Sequence, residues 1–143
     1  MGRLNQQIGK AGEQRAEWFL KEIGAQCVDK ISTPMKFVKG KAFYCKKSST
    51  DFTACIKDAL NFKASRIEVK SFSGDNLPYS ILEPHQIQWL VNWQNCGQWS
   101  FVLWVHDMDC YLISFKHFVS GKSISVEMAE KISFEKSTKK LAF

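Results

Sequence analysis

No stretch of this 143-residue chain stays apolar for more than the five residues Phe101-Val102-Leu103-Trp104-Val105. That is far short of the ~20 a helix needs to cross a bilayer. Cysteine is sparse: five residues, an odd number, with no Cys-x-x-Cys pair. This argues against a disulfide framework or a zinc cluster, and the cysteines read as small buried hydrophobes in a reducing compartment. With three prolines and eight glycines there is no collagen pattern and no low-complexity linker. The first six residues hold no apolar run of the secretory kind, and Gln6 stands where a myristoylation site takes Ser or Thr. A cytoplasmic protein without membrane association is expected.

Negative charge is missing where positive charge is dense. Residues 30–50 carry six lysines and no carboxylate; residues 1–70 carry 14 Lys/Arg against 7 Asp/Glu, and the remainder 6 against 7. A basic half of this kind is the footprint of a polyanion partner, through phosphate neutralisation and counterion release. A solubilising surface would have the same composition, so charge alone leaves both readings open. Hydrophobic residues at 45% and charged ones at 24% are ordinary globular values, and the length suits one domain with its own core.

The periodicity predicts a helix over 5–23, where Ile8, Gly12, Ala16, Phe19, Leu20 and Ile23 recur at 3–4 spacing and Gly24 supplies a stop. Short strands are expected over 26–31, 51–57 and 65–72. Met35–Val38 and residues 41–45 flank Gly40 as a small basic hairpin within about 33–47. Residues 73–80 read as a loop, and 83–96 as a helix with Pro84 at its first position. Strands over 99–106 and 110–115 form a second hairpin. Residues 116–135 fit either a short helix or an edge strand, and 136–143 are expected to be a mobile tail. The order implies a single α/β (α+β) domain, a central mixed β-sheet flanked by helices.

Chemistry concentrates in Ile67-Glu68-Val69-Lys70, preceded by Ser49-Thr50-Asp51-Phe52. In a strand, Glu68 and Lys70 share a face while Val69 points into the core. A carboxylate that holds a divalent ion beside a lysine that orients water and counters phosphate charge is what metal-assisted phosphodiester hydrolysis needs. Asp51 would add a second hard oxygen ligand, and oxygen-only ligation suits Mg2+ or Mn2+ over zinc. Glu13 is a third acid if the first helix packs over the sheet edge. An acid and a lysine at i, i+2 also make ordinary solvated strand faces, so spacing alone does not decide.

With Glu13, Thr50-Asp51 and Glu68-Val69-Lys70 in that order, followed by a glutamine-bearing helix, the chain resembles the PD-(D/E)xK nuclease superfamily. More narrowly it is similar to Holliday-junction resolvases of the RecU type. Gly9-Lys10-Ala11-Gly12-Glu13 fits that family's entry helix, Lys30-Ile31-Ser32-Thr33-Pro34 its strand ending in Thr-Pro, and Pro84-His85-Gln86-Ile87 its His-Gln helix start. Phe101–Val105 with Tyr111-Leu112 fits the hairpin that follows.

The resemblance covers roughly residues 5–118. It implies a restriction-endonuclease-like core and a Mg2+-dependent endonuclease, with Mn2+ able to substitute, that binds four-way junction DNA as a homodimer and cuts two opposed strands. By the same resemblance Asp51 and Glu68 are metal ligands, Lys70 the catalytic lysine, Glu13 an auxiliary acid and Gln86 a residue that helps position the site. The alternatives are a nuclease of this superfamily acting on other branched or duplex DNA, or a non-catalytic nucleic-acid-binding module on the same fold.

Two substitutions depart from the superfamily pattern, Thr50 where its name has Pro and Val69 where a smaller residue is usual. The segment between Thr-Pro and Asp51 is also shorter than the family's stalk. Lys36, Lys39, Lys41, Lys46 and Lys47 lie in that segment and are expected to meet DNA phosphates. His85, His106 and His117 are not spaced as metal ligands, and four of the five tryptophans fall on elements with core periodicity.

Overall fold

The computed structural model describes residues 2–31, 35–44 and 50–137. The apolar stripe of the first helix, α1 (Gly2–Glu22), buries Ala16, Phe19 and Leu20 completely. Gly24, at φ 81°, and Ala25 close the helix by donating to the carbonyls of Lys21 and Leu20, a turn that glycine makes without strain.

A short edge strand, β1 (Gln26–Lys30), follows, then a separate two-residue-turn hairpin of β2 (Met35–Val38) and β3 (Lys41–Tyr44). Lys39 and Gly40 both have positive φ, 52° and 79°, as the turn that matches strand twist requires. Strands β4 (Phe52–Asp58) and β5 (Asn61–Ser71) pair antiparallel. A two-residue bridge, β6 (Asn76–Leu77), precedes helix α2 (Pro84–Asn95), and β7 (Trp99–His106) and β8 (Asp109–Ser114) form the next hairpin. The chain continues through β9 (Ile124–Ser125), which pairs with β6, then α3 (Val126–Ile132) and β10 (Glu135–Ser137).

The main sheet runs β1-β4-β5-β7-β8-β10, with β5 and β7 its only parallel neighbours. The crossover between those two carries α2, as a parallel pair requires. Strand alternation divides the interior in two. On the α1 side Phe52, Ala54 and Ile56 of β4 meet Ile67 and Val69 of β5 and Phe101, Leu103 and Val105 of β7. On the other side Val102, Trp104, Tyr111 and Ile113 pack with Leu90 of α2 and Ala129 of α3. The architecture is the mixed sheet flanked by helices that the element order implies.

Gly12 sets how near α1 comes to the sheet. A β-carbon at that position would lie 1.7 Å from Ser71 Oγ and 3.1 Å from Ser71 Cβ, so a side chain there requires the Ser71 hydroxyl to turn away and the helix or strand to give by a few tenths of an ångström.

Several expectations change. Residues 116–135 are not one element but several: the end of a 3-10 turn (Phe115–His117), β9, the short helix α3 and the first residue of the edge strand β10. Lys136 and Ser137 do not belong to a mobile tail, because β10 pairs with β8 through Glu135↔Leu112 and Lys136↔Tyr111. The Lys136 ammonium also meets Glu130 at 2.9 Å, and Glu130 accepts from the Tyr111 hydroxyl. Residues 138–143 lie outside the described residues. Cysteine is less buried than expected, with Cys110 buried but Cys27 and Cys96 exposed. Of the tryptophans only Trp104 is fully enclosed, while Trp18 and Trp89 stand about half exposed.

Candidate active site

The site forms where β4 and β5 part. Their ladder runs from Asp58↔Asn61 to Phe52↔Ile67 and then stops, while β5 continues to Ser71 against β7. Asp51 stands one residue before β4 and takes the vacated ladder position with its side chain: Oδ2 accepts the Val69 N–H at 2.7 Å. Its backbone carbonyl accepts the Ile31 N–H at 2.8 Å, which ties the end of β1 to it. Thr50, fully buried, donates its hydroxyl to the Phe52 carbonyl.

Alternation along β5 turns Val69 into the α1-side core and sends Glu68 and Lys70 to the opposite face, under the first turn of α2. Glu68 is only 3% exposed. Its Oε1 accepts from Gln86 Nε2 at 2.7 Å, and Lys70 Nζ lies 3.8 Å from the same oxygen. Gln86 is fixed from its other end, because its Oε1 accepts the backbone N–H of Glu83, the N-cap of α2, at 2.9 Å. The helix cap therefore leaves the amide one orientation, with its NH2 toward Glu68. Glu13 reaches the site from α1 and its Oε2 is held at 2.7 Å by Lys30 Nζ.

Burial dominates the electrostatics. Desolvation first, and the neighbouring Asp51 charge second, push the Glu68 carboxyl from its ordinary value near 4.5 up to about 9. Asp51 is also raised by burial, offset by the Val69 N–H and by a hydrogen bond from Glu68. The two carboxyl groups thus share one proton, and the Glu13 charge pushes both in the same direction.

From about pH 4.5 to about 9 the folded chain keeps a proton that the unfolded chain has released. Without divalent cation, stability therefore falls as pH rises through that window. Thermal melts in chelator between pH 6 and 8.5 should show the decline, and Glu68→Gln should flatten it. A melting temperature that rises over this range would contradict the shared proton.

A pair of carboxyl groups held from ionising together is relieved when a cation displaces the shared proton, and hard oxygen donors of this kind fit Mg2+ or Mn2+. Among the described residues no three His, Cys, Asp or Glu side chains converge as a metal-holding group. A cation here would need water or phosphate oxygens besides Asp51 and Glu68, which Mg2+ ordinarily retains.

The structure brings together Asp51, Glu68, Lys70 and Gln86, with Glu13 at one side. Lys39 is exposed at the β2–β3 tip. The side chains of Lys36 and Lys41, and Lys46 and Lys47 altogether, lie outside the described residues. Sequence reasoning missed Lys30, whose contact with Glu13 depends on the register of β1. It also missed the Arg66 guanidinium stacked 4.3 Å over the Trp93 ring, on the site's own face of β5. His85 and His106 face Glu83 and Asp75 at 3.2 and 3.4 Å.

The family model of recombination protein U (RecU) matches residues 13–142. No curated protein matches the chain. Among solved structures, Hjc from Archaeoglobus fulgidus, a Holliday junction resolvase from an archaeal hyperthermophile, aligns with a TM-score of 0.59 at 14% identity. The alignment covers 87% of this chain and 94% of that one. At such identity the likeness speaks for the fold, a restriction-endonuclease-like core, with the carboxyl pair where the second and third strands of the sheet separate.

Proposed function

Because the chain belongs to the recombination protein U family, we propose that it is a Mg2+-dependent, structure-selective DNA endonuclease. It resolves four-way junctions in the cytoplasm by paired symmetric cuts. The observation that carries this reading is the convergence of half-buried Asp51, held by the Val69 N–H, with buried Glu68, held by Gln86 and 3.8 Å from the Lys70 ammonium. A non-catalytic module has no physical reason to keep that costly arrangement.

The chain's own residues divide the work. Asp51 and Glu68 would hold a divalent ion, which when bound polarises the phosphate and acidifies a water. Asp51 is braced by the Val69 N–H and Glu68 by Gln86, so neither carboxyl has to be ordered on binding. The Lys70 ammonium, mostly buried, orients the attacking water and counters charge that develops on the phosphate. The exposed β2–β3 tip brings Lys39 toward phosphates around the junction centre, with Lys36, Lys41, Lys46 and Lys47 on the same segment. Such contacts carry affinity and geometry rather than base sequence.

A two-fold junction is cut symmetrically most simply by a two-fold protein, so the active form is a homodimer. Incubation with a synthetic four-way junction, a duplex and a single strand, with and without Mg2+, tests the reading. Cutting confined to the junction, and to two opposed strands, supports it. Equal cutting of the duplex would instead mean a nuclease of broader substrate range, and binding without any cutting a non-catalytic module.

A further inference from the structure

Lys30 is the last residue of β1 and pairs across the ladder with Phe52, the neighbour of Asp51. That register turns its side chain to the α1 face of the sheet. There its ammonium meets the Glu13 carboxylate at 2.7 Å. The pair borders an open recess of about 250 Å3 lined also by Lys10, Gln14, Glu17 and Phe52. Half of the Lys30 side chain is exposed to it. Glu17 is drawn to Lys21, at 3.5 Å, so that Lys30 has Glu13 as its ion-pair partner and releasing that pair would free one positive charge beside Lys10.

We propose that Lys30 is a positioning residue that occupies Glu13 in the metal-free protein and exchanges it for a DNA phosphate when the divalent cation enters. This rests on the metal-dependent reading given above. An ammonium within 3 Å of Glu13 opposes the approach of a second cation, and an ammonium held by a carboxylate is withheld from phosphate. Each ligand therefore removes the other's competitor. Cation loading and DNA binding strengthen one another, and the coupling is reciprocal. Released from Glu13, the half-exposed Lys30 ammonium can meet a phosphate beside Lys10, on the rim of the recess.

Mn2+ affinity of the full chain is measured by calorimetry without DNA, and junction affinity by fluorescence anisotropy in chelator and in Ca2+. Wild type, Lys30→Met and Lys30→Arg are compared, with thermal melts to show that each is folded. Lys30→Met should bind Mn2+ about two- to fivefold more tightly, the scale of a half-exposed charge pair. Its junction affinity should match wild type in chelator, while the gain on adding Ca2+ shrinks about threefold. Lys30→Arg, which keeps the charge, should stay near wild type in both. Unchanged or weaker Mn2+ binding by Lys30→Met, or an equal loss of junction affinity with and without Ca2+, would overturn the proposal. Wild type that binds no Mn2+ even with junction present would overturn the metal-dependent reading itself.

Discussion

Glu68→Gln and Asp51→Asn should each leave a folded protein that still binds the junction and no longer cuts it, with rates down by about a thousandfold or more. Glu68→Gln is the cleaner case. The new amide keeps an oxygen to accept from Gln86 Nε2 and gains an NH2 that can donate to Asp51, as the shared proton does now. The metal-free network survives with one ionisable group fewer, so the variant should melt no lower than wild type at pH 8. What is lost is the charge that a divalent cation needs from its ligands. DNA binding should hold, because Glu68 is already protonated in the metal-free protein and the variant keeps the charge of the pair. Cleavage near the wild-type rate by either variant would mean that the metal is held elsewhere.

Lys70→Ala should act on the rate and spare the metal. The Lys70 ammonium lies 3.8 Å from Glu68 Oε1, beyond hydrogen-bond contact, and is not itself a ligand. Its removal should cost a factor of about 100 or more in single-turnover cleavage, the usual scale for one electrostatic or proton-transfer group. Calorimetric Mn2+ affinity should stay within a few fold of wild type. Lys70→Arg should recover only part of the rate, because a planar guanidinium is not a compact point charge in a space shaped for one. Lost metal affinity with an unchanged rate would reverse the roles of Lys70 and the carboxyl pair.

How much of this is written locally in the chain differs from residue to residue. Glu68 and Lys70 were legible because strand parity alone places i and i+2 on one face. Asp51 and Glu13 were legible as candidate acids from residue chemistry, and the family resemblance gave them roles, but not their partners. The bond from Val69 N–H to Asp51 depends on where the β4–β5 ladder ends, which is a matter of tertiary register. Gln86 is readable as the N3 position of a helix beginning Glu83-Pro84, and capping chemistry then explains why its amide is fixed.

Lys30 was hidden by a local irregularity. The β1–β4 register shifts between Gln26 and Asp29, with Cys27 at φ 53°, and a one-residue slip exchanges the faces of every residue beyond it. Residues 115–137 resisted for another reason. Their elements run from two to seven residues, too short for a period to show, and nonlocal contacts hold them. The Phe134 N–H donates to the Leu112 carbonyl, and the Phe134 ring packs on Trp99 and Phe101. No pattern inside the segment announces those partners.

Asp51 and Glu68 are expected to share a proton where a divalent cation belongs. Calorimetric titration of the metal-free protein with Mn2+ at pH 7.5, in buffers of different ionisation enthalpy, counts the protons released per ion bound. About one is expected for wild type, and far weaker binding with no release for Glu68→Gln. Tight Mn2+ binding without proton release, or equal affinity in the Glu68→Gln variant, would contradict this expectation.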